Sequence, residues 1–358
     1  MTTTTTATKI TEAAASLLPG VGVDVGTANI CVCRRTVDGN FSVQHHRNML
    51  FEMDASDEAV DLLERSKYLY LHTDNHYYIV GEDALRLVNA LGRGEILRPM
   101  ANGLLNPNLK KAQALMNHIL ATIVGPPITP NEPLRFSVPA NPVDRPEMNN
   151  LFHQMVLTEF FRRLGYSPKP INEALANLYK EAPSMTVEGE SEYPLTGLSL
   201  SCGAGMANAC LAVNGLPTVE FSITKSGDHI DQQVAAATGE RLTRIIRVKE
   251  KELDLGQEPA NEMLQALSIY YDEFIKRILT KMGQEFTARK VSLDGAIDIV
   301  VCGGTAMARN FIGRAQKVVA GLDLPFKIRA VRLSDDPFYS VAEGACLAAL
   351  SDHDKKET

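Results

Sequence analysis

Twice in this chain an apolar strand runs into a glycine-containing turn and returns as a second strand. Val21 to Val25 leads into Gly26-Thr27-Ala28-Asn29 and comes back as Ile30-Cys31-Val32-Cys33-Arg34. Leu195 to Leu200 leads into the turn Ser201 to Met206 and comes back as Ala207 to Val213, with Asn214-Gly215 as the next hairpin turn. The architecture repeats although the residues do not, and 358 residues are enough for two such halves. A third glycine-rich turn, Gly303-Gly304-Thr305-Ala306-Met307, follows the buried run Ile297 to Val301.

A tight turn of this kind leaves successive backbone N–H groups pointing into one concavity, and glycine lets that backbone approach an anion closely. Thr27 adds a hydroxyl. Asp24 ends a buried strand, where a carboxylate does nothing for solubility; beside phosphates it would hold magnesium, usually through waters. One such hairpin alone reads as an ordinary turn. Two of them with a third glycine turn point to a nucleotide held between two similar halves.

Charge and cysteine usage remove other classes. A net charge of −7 and a pI near 5.7 lack the basic face that nucleic acid requires. Cys31, Cys33, Cys202, Cys210, Cys302 and Cys346 show no CxxC spacing and mostly lie in apolar runs, so they read as small buried hydrophobes of a reducing compartment. No apolar stretch has the length, about 18 residues, of a membrane span. The threonine- and alanine-rich start lacks a signal or transit pattern, which leaves a cytoplasmic location. Ile10, Ala13, Ala14, Leu17 and Leu18 share one helical face, yet with few basic or aromatic residues a disordered tail is preferred to a membrane anchor.

Between the turns, Tyr68 to His72 and His76 to Gly81 read as a hairpin and Leu134 to Val138 as a strand. Helical periodicity covers Asp83 to Leu91, Leu109 to Val124, Arg145 to Leu164, Ile171 to Glu181, Ile230 to Ala237, Asn261 to Met282 and Val341 to Leu350. Glu188 to Pro194 is an acidic seam. His72, Asp74 and His76 straddle a hairpin tip, where solvated side chains are the better reading than a zinc site.

These residues resemble the actin and heat-shock-chaperone ATPase superfamily. Asp24-x-Gly26-Thr27 is similar to its first phosphate motif, Ser201 to Asn208 sits at its second, and Gly303 to Met307 is similar to its adenosine motif. Ile171-Asn172-Glu173-Ala174 and Val341-Ala342-Glu343-Gly344-Ala345 resemble its two connecting helices. Tyr78 to Ala84, Arg98-Pro99-Met100, Gly103-Leu104-Leu105, Ser137-Val138-Pro139-Ala140 and Thr224 to Asp231 narrow the likeness to bacterial actins of the MreB/MamK type.

The resemblance implies an α/β actin-like ATPase fold, two duplicated domains around a nucleotide cleft, each with a smaller subdomain. It implies a tail over 1–18, domain I over 19–190 and 335–358 with its subdomain near 45–104, and domain II over 191–334 with its subdomain near 225–295. It implies ATP or ADP with Mg2+ as cofactors. Asp24 would hold the metal, Glu173 would orient the attacking water, and Gly26, Thr27, Ala28, Asn29, Gly203, Ala204 and Gly205 would cradle phosphates. Gly227 and Asp228 would approach the ribose, joined by Lys249 and Glu250, while Gly303, Gly304, Thr305 and Met307 would border the adenine. Lys249 to Glu252 could otherwise be a solvated charged run.

The second motif departs from the family pattern. Ser201, Met206 and Asn208 stand where an aspartate, a threonine and a further aspartate are usual, although Gly203 and Gly205 remain. The expectation is therefore nucleotide binding with slow hydrolysis, in a protein that polymerises with itself into filaments. A non-filamentous nucleotide sensor or scaffold, or a small-molecule kinase, are the alternatives on the same fold.

Overall fold

The computed structural model describes residues 17–357 apart from 74, 93, 186–194 and 294. Leu17 and Leu18 already belong to the first strand, so the tail expected over 1–18 ends at least two residues earlier; its remainder, and the acidic seam, lie outside the described residues.

In chain order, β1 (Leu17–Val25), β2 (Asn29–Thr36) and β3 (Phe41–Arg47) open the chain. A smaller unit follows: β4 (Leu50–Asp54), α1 (Asp57–Ser66), β5 (Tyr70–Thr73), β6 (His76–Val80), α2 (Glu82–Leu91) and β7 (Ile96–Leu97). Next come β8 (Met100–Ala101), β9 (Leu104–Leu105), α3 (Ala112–Val124), β10 (Pro133–Val138), α4 (Leu151–Arg163), β11 (Ser167–Asn172) and α5 (Glu173–Met185). The second half holds β12 (Gly197–Cys202), β13 (Ala207–Val213), β14 (Leu216–Ile223), α6 (Gly227–Thr238), α7 (Leu242–Lys251), α8 (Glu262–Ala288) and β15 (Ile297–Cys302). A short 3-10 turn at Gly304–Met307, α9 (Phe311–Val319), β16 (Ile328–Leu333) and α10 (Ser340–Glu357) complete it.

Among the described residues ten strands form two five-stranded sheets of one design, while β5-β6-β4-β7 form a four-stranded sheet and β8 pairs with β9. The first runs β3-β2-β1-β10-β11 and the second β14-β13-β12-β15-β16. In each, a hairpin and a third strand pair antiparallel, and two later strands add in parallel to the first. The repeated hairpin legible in the sequence is thus the opening of a repeated domain. Strands such as Gly197–Cys202 and Ile297–Cys302 are buried along their whole length, which is why they read as continuous apolar runs.

Each sheet packs its own core. Val23, Phe136, Met116 and Phe161 lie together under α3 and α4, and Leu200, Val301, Phe274 and Met282 lie together under α8. Between the sheets lie α5 and α10. The first packs Ala174 and Leu178 against Cys210 and Val300, while the second lays Ala342 and Cys346 on Cys31 and Cys33. The paired cysteines of β2 are therefore core, as their alternation suggested. A Cβ on Gly22 would overlap the backbone of Ala342 and Cys346, so only glycine allows α10 this close to β1.

Several helix boundaries differ from the sequence expectation, α8 running on to Ala288 and α10 to Glu357, and two of the differences have identifiable causes. The segment expected to start a helix at Arg145 does so at Leu151. Pro142 instead bridges Ser222, the Val143 N–H donates to the Ser222 carbonyl, and the Ser222 hydroxyl donates to the Ala140 carbonyl, so this stretch staples the first half to the second. Likewise Ile171 and Asn172 end β11 rather than beginning a helix. The Asn172 side chain accepts from the N–H groups of Ala174 and Leu175, a cap that starts α5 at Glu173.

Candidate functional site: the cleft between the halves

The β1–β2 hairpin, the β12–β13 hairpin and the turn after β15 converge on one cavity of about 450 Å³. Asp24, Gly26, Thr27, Ala28, Asn29, Glu173, Gly203, Ala204, Gly205, Lys249, Glu250, Gly303, Gly304, Thr305 and Met307 all line it. These positions span nearly the whole sequence, and it is the duplicated sheet that brings them together.

The two facing turns touch. A Cβ on Gly205 would overlap the Thr27 hydroxyl and the Gly103 nitrogen, and the Gly103 N–H donates to Thr27 Oγ1 at 3.1 Å. Asn48 holds the first turn from outside by donating to the Gly26 carbonyl at 3.0 Å. In the second turn the Gly203 carbonyl accepts from Ser226 Oγ at 2.6 Å, Thr305 Oγ1 at 2.9 Å and the Gly227 N–H at 3.3 Å. Such bracing fixes the backbone that would face an anion.

Gly227 and Asp228 therefore stand elsewhere than expected. Neither lines the cavity; both brace the second turn from behind, the Asp228 N–H donating to the Ala204 carbonyl at 2.8 Å. The Asp228 carboxylate meets Arg98 of the first half at 2.7 Å. Lys249 lines the cleft, but its ammonium is committed to the buried Asp231 at 2.6 Å, and Glu250 pairs with Arg47. Both lie on α7, a helix absent from the sequence expectation, whose buried face is Ile245 and Ile246.

The floor of the cleft holds two carboxylates. Asp24 accepts from Ser137 Oγ at 2.7 Å, and that hydroxyl in turn accepts from the Val25 N–H at 2.9 Å. Burial pushes the Asp24 carboxyl up to about 6, against the pull of the Ser137 bond. Glu173 Oε2 accepts from Ser201 Oγ at 3.1 Å and from Asn208 Nδ2 at 2.9 Å. Burial, with the Asp24 charge added, pushes Glu173 up to about 8. Two of the three altered positions of the second motif, Ser201 and Asn208, are thus the donors that hold Glu173.

Asn208 is completely buried and also accepts from the Ala140 N–H at 2.9 Å. It ties β13 of the second half both to α5 and to the crossing segment after β10. Neither Asn208 nor Ser137 carried a functional signal beyond its place near a motif.

Among the described residues no group of three or more His, Cys, Asp or Glu side chains could hold a metal alone. Magnesium fits the floor nonetheless, because it commonly takes one or two carboxylates and completes its shell with waters and phosphate oxygens. Asp24 opens on the cavity and its carboxylate is the hard oxygen donor such an ion wants. At the hairpin tip His76 pairs with Glu52 and Asp54 and His72 stacks on Tyr77, while Asp74 lies outside the described residues. Among the described residues no helix is long and apolar enough to cross a membrane.

A family model described as Volactin matches residues 20–349. No curated protein matches the chain. Among solved structures, a MamK double helical filament superposes with a TM-score of 0.65 at 16% identity, covering 92% of this chain and 98% of that one. MreB5 of Spiroplasma citri bound to AMPPNP gives 0.62 at 16% identity, covering 94% and 97%. The ethanolamine utilization protein EutJ from Carboxydothermus hydrogenoformans gives 0.53 at 13% identity, covering 94% and 93%. The fold is the actin-like ATPase fold.

Proposed function

Starting from a chain that belongs to the Volactin family and carries the actin-like fold, we propose that it is a cytoskeletal protein that binds ATP with Mg2+ in its cleft and polymerises into filaments. The observation that carries this proposal is the convergence of three glycine turns and Asp24 on one cavity between two duplicated sheets. Backbone N–H groups of the first two turns receive the phosphates, and Gly303 to Met307 border the base. Asp24 would hold the metal, which when bound would supply charge neutralisation at the phosphates. MamK, solved as a double helical filament, and MreB5, solved with AMPPNP, support self-association and nucleotide binding by analogy of fold.

Hydrolysis is slow in this proposal. Glu173 is the group that would orient water, but its Oε2 is occupied by Ser201 and Asn208, and position 201 brings no charge to the metal. Head-to-tail contact between copies uses two different surfaces and leaves open ends, so the assembly grows as a filament. Nucleotide between the halves sets the angle at which those surfaces present themselves.

Sedimentation and negative-stain microscopy test this with Mg-ATP, with a non-hydrolysable analogue, and with Asp24→Ala. Filaments with either nucleotide and none with Asp24→Ala are expected. Absence of filaments together with substrate-dependent ADP release would overturn it in favour of a kinase. Nucleotide-dependent thermal stabilisation without filaments would overturn it in favour of a sensor.

A further inference from the structure

Arg47 ends β3 at the wall of the cleft, directly opposite Asn29 of the first glycine turn in the β2–β3 register. Its guanidinium is divided between two acids. Nε donates to Glu82 Oε2 at 2.6 Å, and the two terminal nitrogens donate to Glu250 at 3.2 and 2.9 Å. Glu82 opens α2 on the same half, whereas Glu250 lies near the end of α7 on the other half. The arginine side chain is 19% exposed, but Glu82 and Glu250 are 50% and 43% exposed. The sheltered cation requires an anionic partner, and its partners are acids that water can readily take back.

Among the other cations lining the cleft, Lys251 is the last residue of α7 on the other half, outside the strand register that sets Arg47 beside the first turn. Lys249 is committed to Asp231, and Arg309 meets Asp254 at 3.3 Å. Arg47 alone combines a place beside that turn with a two-nitrogen fork turned toward an exchangeable carboxylate, the geometry that phosphate oxygens also satisfy.

We propose that Arg47 reads the terminal phosphate of a nucleoside triphosphate, exchanging the Glu250 carboxylate for it while Glu82 keeps Nε anchored. Loss of the Arg47–Glu250 link then releases the end of α7 from the first half, while Arg241 at its start keeps its bond to the Gly92 carbonyl at 2.9 Å, so the phosphate count of the nucleotide is passed to the other half of the molecule as a tilt of α7. The inference rests on the cleft being a nucleotide site.

The test measures Mg-ATP and Mg-ADP affinities by displacement of a fluorescent nucleotide from the full chain, its Arg47→Gln variant and its Arg47→Lys variant. Arg47→Gln is expected to weaken ATP at least tenfold and ADP less than threefold; Arg47→Lys, which keeps the charge but loses the fork, falls between. If the wild type binds nucleotide and both variants keep its ATP-to-ADP ratio, the inference is overturned while the nucleotide cleft stands. If the wild type binds neither nucleotide, both fall. Should Arg47→Gln not fold, the lysine variant decides alone: an unchanged ratio overturns the proposal.

Discussion

The Ser201 hydroxyl donates to the Glu173 carboxylate across 3.1 Å, from a strand position where the family resemblance implies an acid. An acid at 201 could not make that bond. It would instead place a further carboxylate on a floor where burial, and then the Asp24 charge, already raise Glu173.

Ser201→Asp should therefore have opposite effects with and without metal. Without magnesium the variant melts at a lower temperature than the wild type, and added magnesium narrows the gap. With Mg-ATP, phosphate release should rise by roughly 10 to 10²-fold, the scale of a single well-placed electrostatic group in catalysis. A steady-state phosphate assay checks this, and an unchanged rate would show that the serine is not what limits hydrolysis.

Asp24 and Glu173 also set a pH dependence of stability. Their unfolded values of 3.8 and 4.5 rise to about 6 and about 8 in the native cleft. Between roughly pH 4 and pH 8 the native state consequently holds more protons than the unfolded chain, so nucleotide-free stability falls as pH rises through that window. Glu173→Gln removes the group with the larger shift while keeping an acceptor for Ser201 and Asn208. Urea unfolding at pH 5 and pH 8 should show a smaller difference for the variant than for the wild type.

How much of this was legible in the sequence depends on how local each cause is. Asp24 and the glycine turns announce themselves because strand, turn and strand are contiguous. The strand β3 escapes the sequence reading because the apolar alternation of Phe-Ser-Val-Gln-His-His-Arg stops after Val43; it is a half-exposed edge strand, and Arg47 acquires its meaning only from Glu250, distant in sequence. The misplaced start of α4 has the same origin. Residues 145–150 carry Pro146 and are held by bonds that run back to the segment after β10, the Asn150 N–H donating to Asn141 Oδ1 and its Nδ2 to the Pro139 carbonyl, which periodicity does not reveal. Gly344 lay within a recognised motif, yet its reason is tertiary: a Cβ there would overlap the carbonyl of Ala176 where α10 crosses α5.

His153 of α4 offers a stability test away from the cleft. It is 2% exposed and neither ring nitrogen has a hydrogen-bond partner. Burial lowers it from 6.5 to about 4, so its neutral form is favoured in the native state, and stability is lost as pH falls from about 6.5 toward 4. His153→Leu removes both the unpaired polar atoms and this proton uptake. Thermal and urea unfolding should show a gain of about 1 kcal/mol at pH 7, growing at pH 5.

Gly205→Ala probes how the two phosphate turns depend on each other. The added methyl overlaps Thr27 Oγ1, a short side chain with little room to turn, and the Gly103 nitrogen, which is backbone. Both obstacles belong to the first half, so the strain is relieved only by moving the second turn away from the first. Overpacking of this kind costs about 1–3 kcal/mol, small enough for the separately packed cores under α4 and α8 to survive. The expected variant is folded by circular dichroism, with nucleotide affinity reduced at least tenfold and no difference between ATP and ADP. That equal loss would separate damage to the shared cradle from the triphosphate-selective loss expected at Arg47, because the cradle holds the phosphates common to both nucleotides.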